Sequence, residues 1–362
     1  MRIGFVIPTM YRGGAERAMS IICNELSRKG HTVVLMLTED ALDIHNKLDE
    51  KILVIDVSDG SASFIRKMPH HILNIKNVIE EYKIEIVVSF IVRANVCSII
   101  ASKMAGIPVV VSERNDPYTI PGNRFAKLLR DVVYNFADGF VFQTEYARDY
   151  FAKNIRKKST IILNPVTDEI DSINLCNEKE NTIISVSRLF PQKNLQMLIK
   201  AFDKIKILVP EYSLHIYGVG PEEEKLREMI ETLHLGDRVF LDGMAYDVVQ
   251  KVANAKVFAL TSNFEGLSNA LIEAMCVGTC CIATDSPTYG NRDLIENGVN
   301  GFIIPMNNSD CLAEVLLTAI KDEELNRNIS RNALDLRNRV RSNVISDSWE
   351  MYLTDIYKNR GC

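Results

Sequence analysis

RIGFVIPTMYRGGAERAMSIICNELSRKGHTVVLML, residues 2–37, contains one complete strand–helix–strand pattern. Its two ends are mostly apolar runs with β-branched side chains, which favours buried strands. Between them, a loop with Pro8 and Gly13 leads into an amphipathic stretch that stops at Gly30, as a helix would. Because apolar strands that alternate with helices form parallel sheets covered on both faces, this stretch predicts an α/β fold.

The same alternation fills the chain in two blocks. The first block predicts further strands at 85–90, 108–113 and 139–144, with helices around 72–82, 94–105 and 123–136. The second predicts strands at 182–187, 213–218, 239–243, 256–261, 279–284 and 301–305, with helices around 194–208, 221–233, 247–254 and 268–277. We therefore expect two Rossmann-like, doubly wound domains, with binding sites at the carboxyl ends of their strands.

A polar stretch without periodicity separates the two blocks and predicts a linker. The expected N-terminal domain covers 1–167, the linker 168–181 and the C-terminal domain 182–340. The remaining residues, 341–362, predict a helix that packs back towards the N-terminal domain. A length of 362 residues fits this division, because one hydrophobic core rarely organises so long a chain.

Composition indicates a globular, cytoplasmic protein. Hydrophobic residues make up 47% and charged residues 25% of the chain. No apolar run reaches the roughly 20 residues that a bilayer-spanning helix needs, and Pro8 and Gly13 interrupt the start before a signal peptide could form. The eight cysteines are scattered without a CxxC pair, so we expect reduced thiols and no zinc site.

Charge is distributed unevenly about the net value of −5. Residues 1–167 hold 22 Lys and Arg against 18 Asp and Glu, whereas residues 168–362 hold 20 against 29. This balance argues against nucleic-acid binding and fits a partly membrane-facing N-terminal half. Simple charge scatter between two solvated halves is the alternative.

Three motifs stand where the crevices are expected. Gly13, Gly14 and Glu16 lie between the first strand and its helix, where backbone N–H groups can meet an anion, although a plain tight turn would look the same. Arg188 and Lys193 follow the strand at 182–187, so they can stabilise a phosphate, although solvated loop cations are the alternative. Pro191 should bend this loop and Asn194 can cap the next helix.

The third motif is the most specific and reads SNFEGLSN, residues 262–269, with Glu273 eight residues after Glu265. Ser268 or Asn269 can cap the helix that contains Glu273. A carboxylate inside that helix can accept hydrogen bonds from ribose hydroxyls, and Glu265 can hold hydroxyls of a sugar. The alternative is a capping carboxylate plus a solvated helix residue, which would require an exposed Glu273.

The chain resembles the retaining glycosyltransferases of family 4 in the order and spacing of its motifs. These motifs are GGAE (13–16), NPV (164–166), SVSRLFPQKN (185–194), IYGVGPEEEKL (216–226), FLDG (240–243) and EGLSNALIE (265–273). The resemblance implies the GT-B fold, two Rossmann-like domains facing across a cleft. It implies a nucleotide-sugar donor, with a UDP-sugar favoured, a hexose or N-acetylhexosamine as the transferred group, and no metal cofactor. The implied donor-binding residues are Gly14, Arg188, Lys193, Gly243, Glu265, Gly266, Leu267, Ser268 and Glu273.

The resemblance breaks at VVVSERNDP, residues 109–117, where many relatives carry a histidine and this chain places Arg114. This Ser-Glu-Arg-Asn variant is similar to that of capsule, O-antigen and lipid-linked oligosaccharide enzymes. The implied catalytic group is therefore Glu265, Arg188, Lys193 and Arg114, and the acceptor-binding group is Glu16, Arg114, Asn115 and Arg124. An Arg114 that pairs with Glu113 or Asp116 to shape the loop is the alternative.

No protein nucleophile or metal-ligand spacing occurs in the sequence, which agrees with retention through same-face attack. A nicotinamide oxidoreductase is disfavoured because Glu223 stands at the third glycine of the fingerprint that Gly218 and Gly220 begin. A GT-B sugar-nucleotide epimerase and a non-catalytic nucleotide-sugar-binding protein remain alternatives.

Two segments in the N-terminal half combine cations with apolar side chains. They are 63–76, with Arg66, Lys67 and Lys76, and 123–136, with Arg124, Lys127 and Arg130 at helical spacing. Such segments can rest on an anionic leaflet, which predicts a peripheral position on the cytoplasmic face of the inner membrane and a lipid-linked glycan acceptor. Two ordinary surface helices are the alternative.

Overall fold

A computed structural model describes residues 1–11, 13–39, 44, 47–58, 64–175, 178–288 and 290–359, with side chains from residue 67 in the helix that begins at Phe64. The chain divides into two compact units. Unit 1 contains Met1–Pro165 and the C-terminal residues from Val340, and unit 2 contains Val166–Arg339.

Unit 1 is built on a parallel sheet in the order β3-β2-β1-β4-β5-β6-β7. The strands are β1 Arg2–Ile7, β2 Thr32–Leu37, β3 Leu53–Asp56, β4 Ile86–Phe90, β5 Val109–Ser112, β6 Gly139–Phe142 and β7 Ser159–Ile161. The helices are α1 Gly14–Arg28, α2 Phe64–Glu81, α3 Val92–Met104, α4 Arg124–Tyr134, α5 Glu145–Asp149 and α6 Lys153–Arg156.

The central strands of unit 1 match their prediction, because β4, β5 and β6 are buried along their whole length and read as continuous apolar runs. The edge strands β3 and β7 were not predicted. Both are short and only partly buried, although ILVI at 52–55 and IIL at 161–163 are apolar. Helix α2 starts well before the predicted residue 72 and continues through Pro69.

Unit 2 repeats the architecture with a parallel sheet in the order β10-β9-β8-β11-β12-β13. The strands are β8 Glu180–Val186, β9 Ser213–Tyr217, β10 Val239–Gly243, β11 Ala255–Leu260, β12 Cys280–Thr284 and β13 Phe302–Ile304. The helices are α7 Leu195–Ile205, α8 Glu223–Thr232, α9 Val248–Asn254, α10 Asn269–Cys276, α11 Gly290–Leu294, α12 Ser309–Lys321, α13 Glu323–Ala333 and α14 Arg337–Val340. Short 3₁₀ turns cover Asp168–Ser172, Pro191–Lys193 and Leu334–Leu336.

The last helix, α15 Ser342–Lys358, belongs to unit 1 and packs against α1. Trp349 is fully buried, with its ring 5.7 Å from that of Phe90. At the helix surface, Glu350 accepts from Lys29 at 2.9 Å and contacts His31 at 2.8 Å. The end of the chain therefore completes the core of its first domain.

Each sheet contains one point where the strand order reverses, between β1 and β4 in unit 1 and between β8 and β11 in unit 2. Connections leave two such neighbouring strands in opposite directions, which opens a crevice at their carboxyl ends. In unit 2 the loops beside that crevice are 187–194 and 261–268. These loops carry the second and third motifs.

None of the helices in the described ranges is both long and apolar enough to span a membrane. The six described cysteines are free, and burial raises the pKa of the Cys97 thiol to about 12. Cys176 and Cys362 lie outside the described residues.

Candidate active site

The site in unit 2 centres on an ion pair between Lys193 and Glu265. The Lys193 ammonium contacts the Glu265 Oε1 atom, and only 13% and 10% of the two side chains are exposed. The Ser262 hydroxyl donates to the same carboxylate oxygen at 2.7 Å. Glu265 is thereby held in one orientation by a cation and a neutral donor.

Backbone contacts lock the two loops together. The Thr261 hydroxyl donates to the Lys193 carbonyl at 2.9 Å, and the Asn263 amide donates to the Gln192 carbonyl at 2.8 Å. The Gln192 side chain returns a bond to the Phe264 carbonyl at 2.7 Å. These bonds cross from one side of the strand-order reversal to the other, so the motifs that carry Lys193 and Glu265, 72 residues apart, form one connected site.

Asn194 does not cap α7 as predicted. It adopts a left-handed conformation with φ of 47°, and its side chain makes no cap bond to the helix. Its amide nitrogen donates instead to the side-chain oxygens of Asn263 at 3.1 Å and Asn307 at 2.9 Å. The residue closes the loop and ties it to a third connection, because asparagine tolerates the left-handed region.

Arg188 is exposed in the same loop as Lys193. Its guanidinium lies 5.1 Å from the centre of the Phe190 ring. Within the described ranges, no carboxylate lies within ion-pair distance of Arg188. Arg188 therefore offers an uncompensated positive charge, whereas Lys193 is already engaged.

Gly218 and Gly220 pack closely against the backbone of the loop that carries Arg188. Gly218 has φ of +143°, and a Cβ atom there would collide with the Ser187 carbonyl, as one at Gly220 would with the Leu189 carbonyl. This close approach lets Leu189 donate to the Val219 carbonyl at 3.0 Å. The two glycines that resemble a dinucleotide fingerprint thus serve backbone packing.

Helix α10 begins at this site as predicted. The Ser268 side chain accepts from the Leu271 amide at 3.4 Å, so Ser268 caps the helix. Glu273 lies half-buried in the helix, not on the exposed face that its alternative role required. Leu267 is buried and Gly266 half-buried before the cap, while Gly243 ends β10 with φ of +67°.

In unit 1, Arg114 follows β5 and is 91% buried, with 9% of its surface exposed. Its Nη1 atom donates to Asn164 Oδ1 at 2.6 Å, and its guanidinium lies 3.9 Å from the centre of the Phe90 ring. The Nε and Nη2 atoms have no hydrogen-bond partner among the described residues. Burial lowers the pKa of Arg114 to about 9, so it remains a cation at neutral pH.

Arg114 pairs with neither Glu113 nor Asp116, which corrects the loop-shaping alternative. Glu113 turns inward and accepts from the Tyr134 hydroxyl at 3.2 Å. Burial raises the pKa of Glu113 to about 7, while the nearby charge of Arg130 opposes that rise. The loop is shaped by Arg130, which donates to the carbonyls of Pro117 at 3.2 Å and Ile120 at 2.7 Å.

The remaining predicted acceptor residues make no side-chain bond to Arg114 among the described residues. Asn115 and Arg124 are exposed, and in the described part of the chain neither bonds to Arg114. Glu16 lies in the first turn of α1, and a Cβ atom at Gly13 would collide with its carboxylate. Gly13 thus leaves room for the Glu16 carboxylate to fold back over the start of α1, at the place where Gly14 was predicted to meet donor phosphate.

Three residues that hold the site residues in place were not predicted from the sequence. Ser262 orients Glu265, and Asn164 and Phe90 hold Arg114. Ser262 and Asn164 stand inside quoted motifs, but their partners are 3 and 50 residues away and no local pattern identifies them. In the described ranges, no three His, Cys, Asp or Glu side chains converge as metal ligands.

Sequence comparison matches two families to consecutive parts of the chain. Residues 12–170 match the model of Glycosyltransferase Family 4, and residues 166–335 match that of Glycosyl transferases group 1. Together the matches span both units and every motif described above.

Similar proteins with assigned names include two from Campylobacter jejuni. One is a GalNAc-α-(1→4)-GalNAc-α-(1→3)-diNAcBac-PP-undecaprenol α-1,4-N-acetyl-D-galactosaminyltransferase, 27% identical over 98% of this chain and 99% of that protein. The other is an N-acetylgalactosamine-N,N'-diacetylbacillosaminyl-diphospho-undecaprenol 4-α-N-acetylgalactosaminyltransferase, 26% identical over 90% and 92%.

Among solved structures, Anabaena HepE in complex with UDP superposes with a TM-score of 0.83 at 22% identity, covering 98% of this chain and 100% of that one. At this identity the likeness concerns the fold. It agrees with the two parallel α/β sheets described above.

Proposed function

Because this chain belongs to the glycosyltransferases of family 4 and group 1, with the GT-B fold, we propose that it moves a hexose or N-acetylhexosamine from a UDP-sugar to a lipid-linked glycan with retention of anomeric configuration. The proposed process is bacterial surface polysaccharide or glycoconjugate synthesis. We assign the donor to unit 2 and the acceptor to unit 1.

The observation that carries the proposal is the group formed by Lys193, Glu265 and Ser262 beside the free cation of Arg188. A nucleoside diphosphate leaves with a growing negative charge on its outer phosphate. Fixed cations at a crevice stabilise that charge in the transition state without reorganising. Arg188 supplies a bidentate fork and Lys193 a point charge.

The carboxylates fit the neutral part of the donor. Glu265 is oriented by two donors on one oxygen, Oε1, which leaves Oε2 to accept from hydroxyls of the transferred sugar. Glu273 is assigned to the ribose hydroxyls, and the capped start of α10 adds backbone N–H groups. No side chain is required as a nucleophile, because in same-face attack the leaving phosphate accepts the proton of the acceptor hydroxyl.

The relatives support the choice of donor and acceptor. HepE has been solved with UDP and with UDP-glucose, which favours a UDP-sugar. The names of both Campylobacter enzymes specify acceptors attached to undecaprenol through a diphosphate. An acceptor of that kind also implies a peripheral position at the membrane.

Arg114 provides a reason within unit 1 to expect an anionic acceptor. A buried guanidinium with two unbonded nitrogens bears a desolvation cost that an anion would offset. We therefore assign Arg114 to the diphosphate of the lipid-linked acceptor. It would take the place that histidine occupies in many relatives without supplying histidine's proton chemistry.

The test has two stages with the full-length protein. Thermal unfolding with a panel of UDP- and GDP-sugars identifies the donor, since a ligand bound only by the folded state raises stability as RT ln(1 + [L]/Kd). Transfer of that sugar is then measured with a polyprenyl-diphosphate glycan and with the same glycan lacking the diphosphate. We expect the diphosphate to lower the acceptor KM in the wild type but not in Arg114→Gln. An equal KM for both acceptors in the wild type would contradict the lipid-linked assignment.

A further inference from the structure

The outward side of α4 carries a stripe of apolar side chains. Phe125 is 71% exposed, Leu128 62%, Val132 51% and Phe136, just after the helix, 60%. Their spacing places them along one side of the helix over about 16 Å. The opposite side already packs on the domain core, so this stripe is additional to the face that folding requires.

Cations stand at both ends of the stripe. Arg124 and Lys127 lie in the first turn of α4. At the other end, Asn154 of α6 donates to the Asn135 side chain at 2.7 Å, which brings the exposed Lys153 close.

The residues that follow α6 add further cations to the same end of the stripe. Lys158 is exposed and donates to the Ala137 carbonyl at 3.3 Å, and its neighbour Lys157 is also exposed. Residues 124–158 hold eight Lys and Arg against four Asp and Glu.

The acidic side chains of this region have cationic partners nearby. Asp131 pairs with the buried Arg130 at 2.9 Å and accepts from the Tyr150 hydroxyl at 3.3 Å. Asp138 pairs with Lys103 on α3 at 2.7 Å. The charge that remains around the stripe is therefore positive.

We propose that the stripe of Phe125, Leu128, Val132 and Phe136 is a docking surface for an anionic lipid bilayer. The two phenylalanine rings and the aliphatic groups between them can enter the boundary between headgroups and acyl chains. Arg124, Lys127, Lys153 and Lys157 then lie at the level of the lipid phosphates. The inference deepens the proposed function and rests on it only for the lipid-linked acceptor.

The size of the stripe favours a bilayer over a protein. A single helix about 16 Å long presents far less than the roughly 800 Å² that each partner buries in a stable protein interface. A bilayer needs no complementary shape, and its anionic phosphates match the cations at both ends. A second copy of the chain would bring like charges together.

The structure also revises which residues can contribute. Arg130, predicted for this surface, is fully buried and holds the preceding loop instead. In the other predicted segment, Ile72 packs inward and Leu73 is 48% exposed, so its described side chains form no comparable stripe. Residue 63 and the side chains of residues 64–66, including Arg66, lie outside the described part of the structure.

Co-sedimentation with phosphatidylcholine vesicles, with and without phosphatidylglycerol, tests the proposal on the full-length chain without donor or acceptor. We expect the wild type to bind only the anionic vesicles, and added salt to weaken binding. Phe125→Ser with Phe136→Ser should weaken binding at least about tenfold, and Lys153→Glu with Lys157→Glu by a similar factor.

The matched control is Ile207→Ser with Leu208→Ser, which removes two apolar side chains of unit 2 that are 83% and 54% exposed. Binding that is equal in the stripe variant and this control would overturn the proposal. So would a wild-type dimer that the stripe variant converts to a monomer, because the stripe would then belong to a second copy. Stabilisation by UDP, measured in the same variants, shows separately whether the donor site is intact.

Discussion

Lys193 and Glu265 form an ion pair in which both side chains are about nine-tenths buried, at the point where the strand order of unit 2 reverses. Ser262 donates to the same carboxylate oxygen, so the pair is satisfied before any ligand arrives. Such a pair stabilises little overall, but removal of one partner leaves a buried charge without compensation. The residues assigned to chemistry are thus also the ones that hold two loops together.

The first prediction concerns stability. Lys193→Ala should lower the free energy of unfolding by roughly 3 kcal/mol, because Glu265 keeps only the Ser262 hydroxyl. Lys204→Ala is the control, since its partner Asp310 is 81% exposed and the pair should contribute at most about 1 kcal/mol. Urea unfolding of both variants measures the difference. Equal losses would show that the pair is not buried in solution.

The second prediction concerns the carboxylates. In the proposed site, Glu265→Gln and Glu273→Gln would each replace a charge-assisted hydrogen bond to the donor by a neutral one, so transfer should fall roughly tenfold to a hundredfold. Far-ultraviolet circular dichroism should remain that of the wild type. Steady-state transfer rates provide the measurement, and wild-type turnover in both variants would remove these residues from the site.

The third prediction separates Arg188 from Lys193. Arg188→Ala should weaken UDP binding by roughly tenfold or more, because a charged hydrogen bond to phosphate is lost. Its unfolding free energy should stay within about 0.5 kcal/mol, because the side chain is exposed. Arg227→Ala, at a surface pair on α8, serves as the control. If calorimetry finds the same UDP affinity in Arg188→Ala as in the wild type, Arg188 does not bind the diphosphate.

The fourth prediction concerns pH. Burial raises the pKa of Glu113 to about 7, against about 4.3 in an unfolded chain. Between these values the folded state binds more protons than the unfolded state. The free energy of unfolding therefore falls as pH rises through this window, by roughly 4 kcal/mol in total, and the loss is nearly complete by about pH 8.

Glu113→Gln removes this contribution. The stability of the variant relative to the wild type should increase from pH 4.5 to pH 8, as measured by urea unfolding at each pH. Glu80→Gln is the control, because Glu80 is 54% exposed in a pair with Lys76. Parallel stability profiles for wild type and Glu113→Gln would show that Glu113 is not buried as described.

The sequence predicted those features of the fold and the site that depend on local sequence pattern. Buried strands such as β5 and β11 are continuous apolar runs, and a serine before an apolar helix indicated the Ser268 cap. Asn194 was misjudged because its partner Asn307 lies 113 residues away, and that contact outweighs the local capping preference. Helices α12 and α13 were not predicted.

The predicted position of Arg130 was also wrong because local spacing does not show tertiary contacts. Its spacing with Arg124 and Lys127 indicated one basic face, yet a helix turns about 100° per residue and Arg130 falls on the inward side with Tyr134. The carbonyls of Pro117 and Ile120, which the fold brings over the helix, and the Asp131 carboxylate make a buried guanidinium tolerable there. Spacing identifies a face, but packing decides which face is outside.

The most direct test of the central claim is the configuration of the bond that the enzyme forms. The donor found in the ligand panel is incubated with the polyprenyl-diphosphate glycan, and the anomeric coupling constant of the product is measured by nuclear magnetic resonance. With an α-linked UDP-sugar, we expect an α-linked product in the wild type and little product in Glu265→Gln. A β-linked product, or an epimerised donor with no transfer, would contradict it.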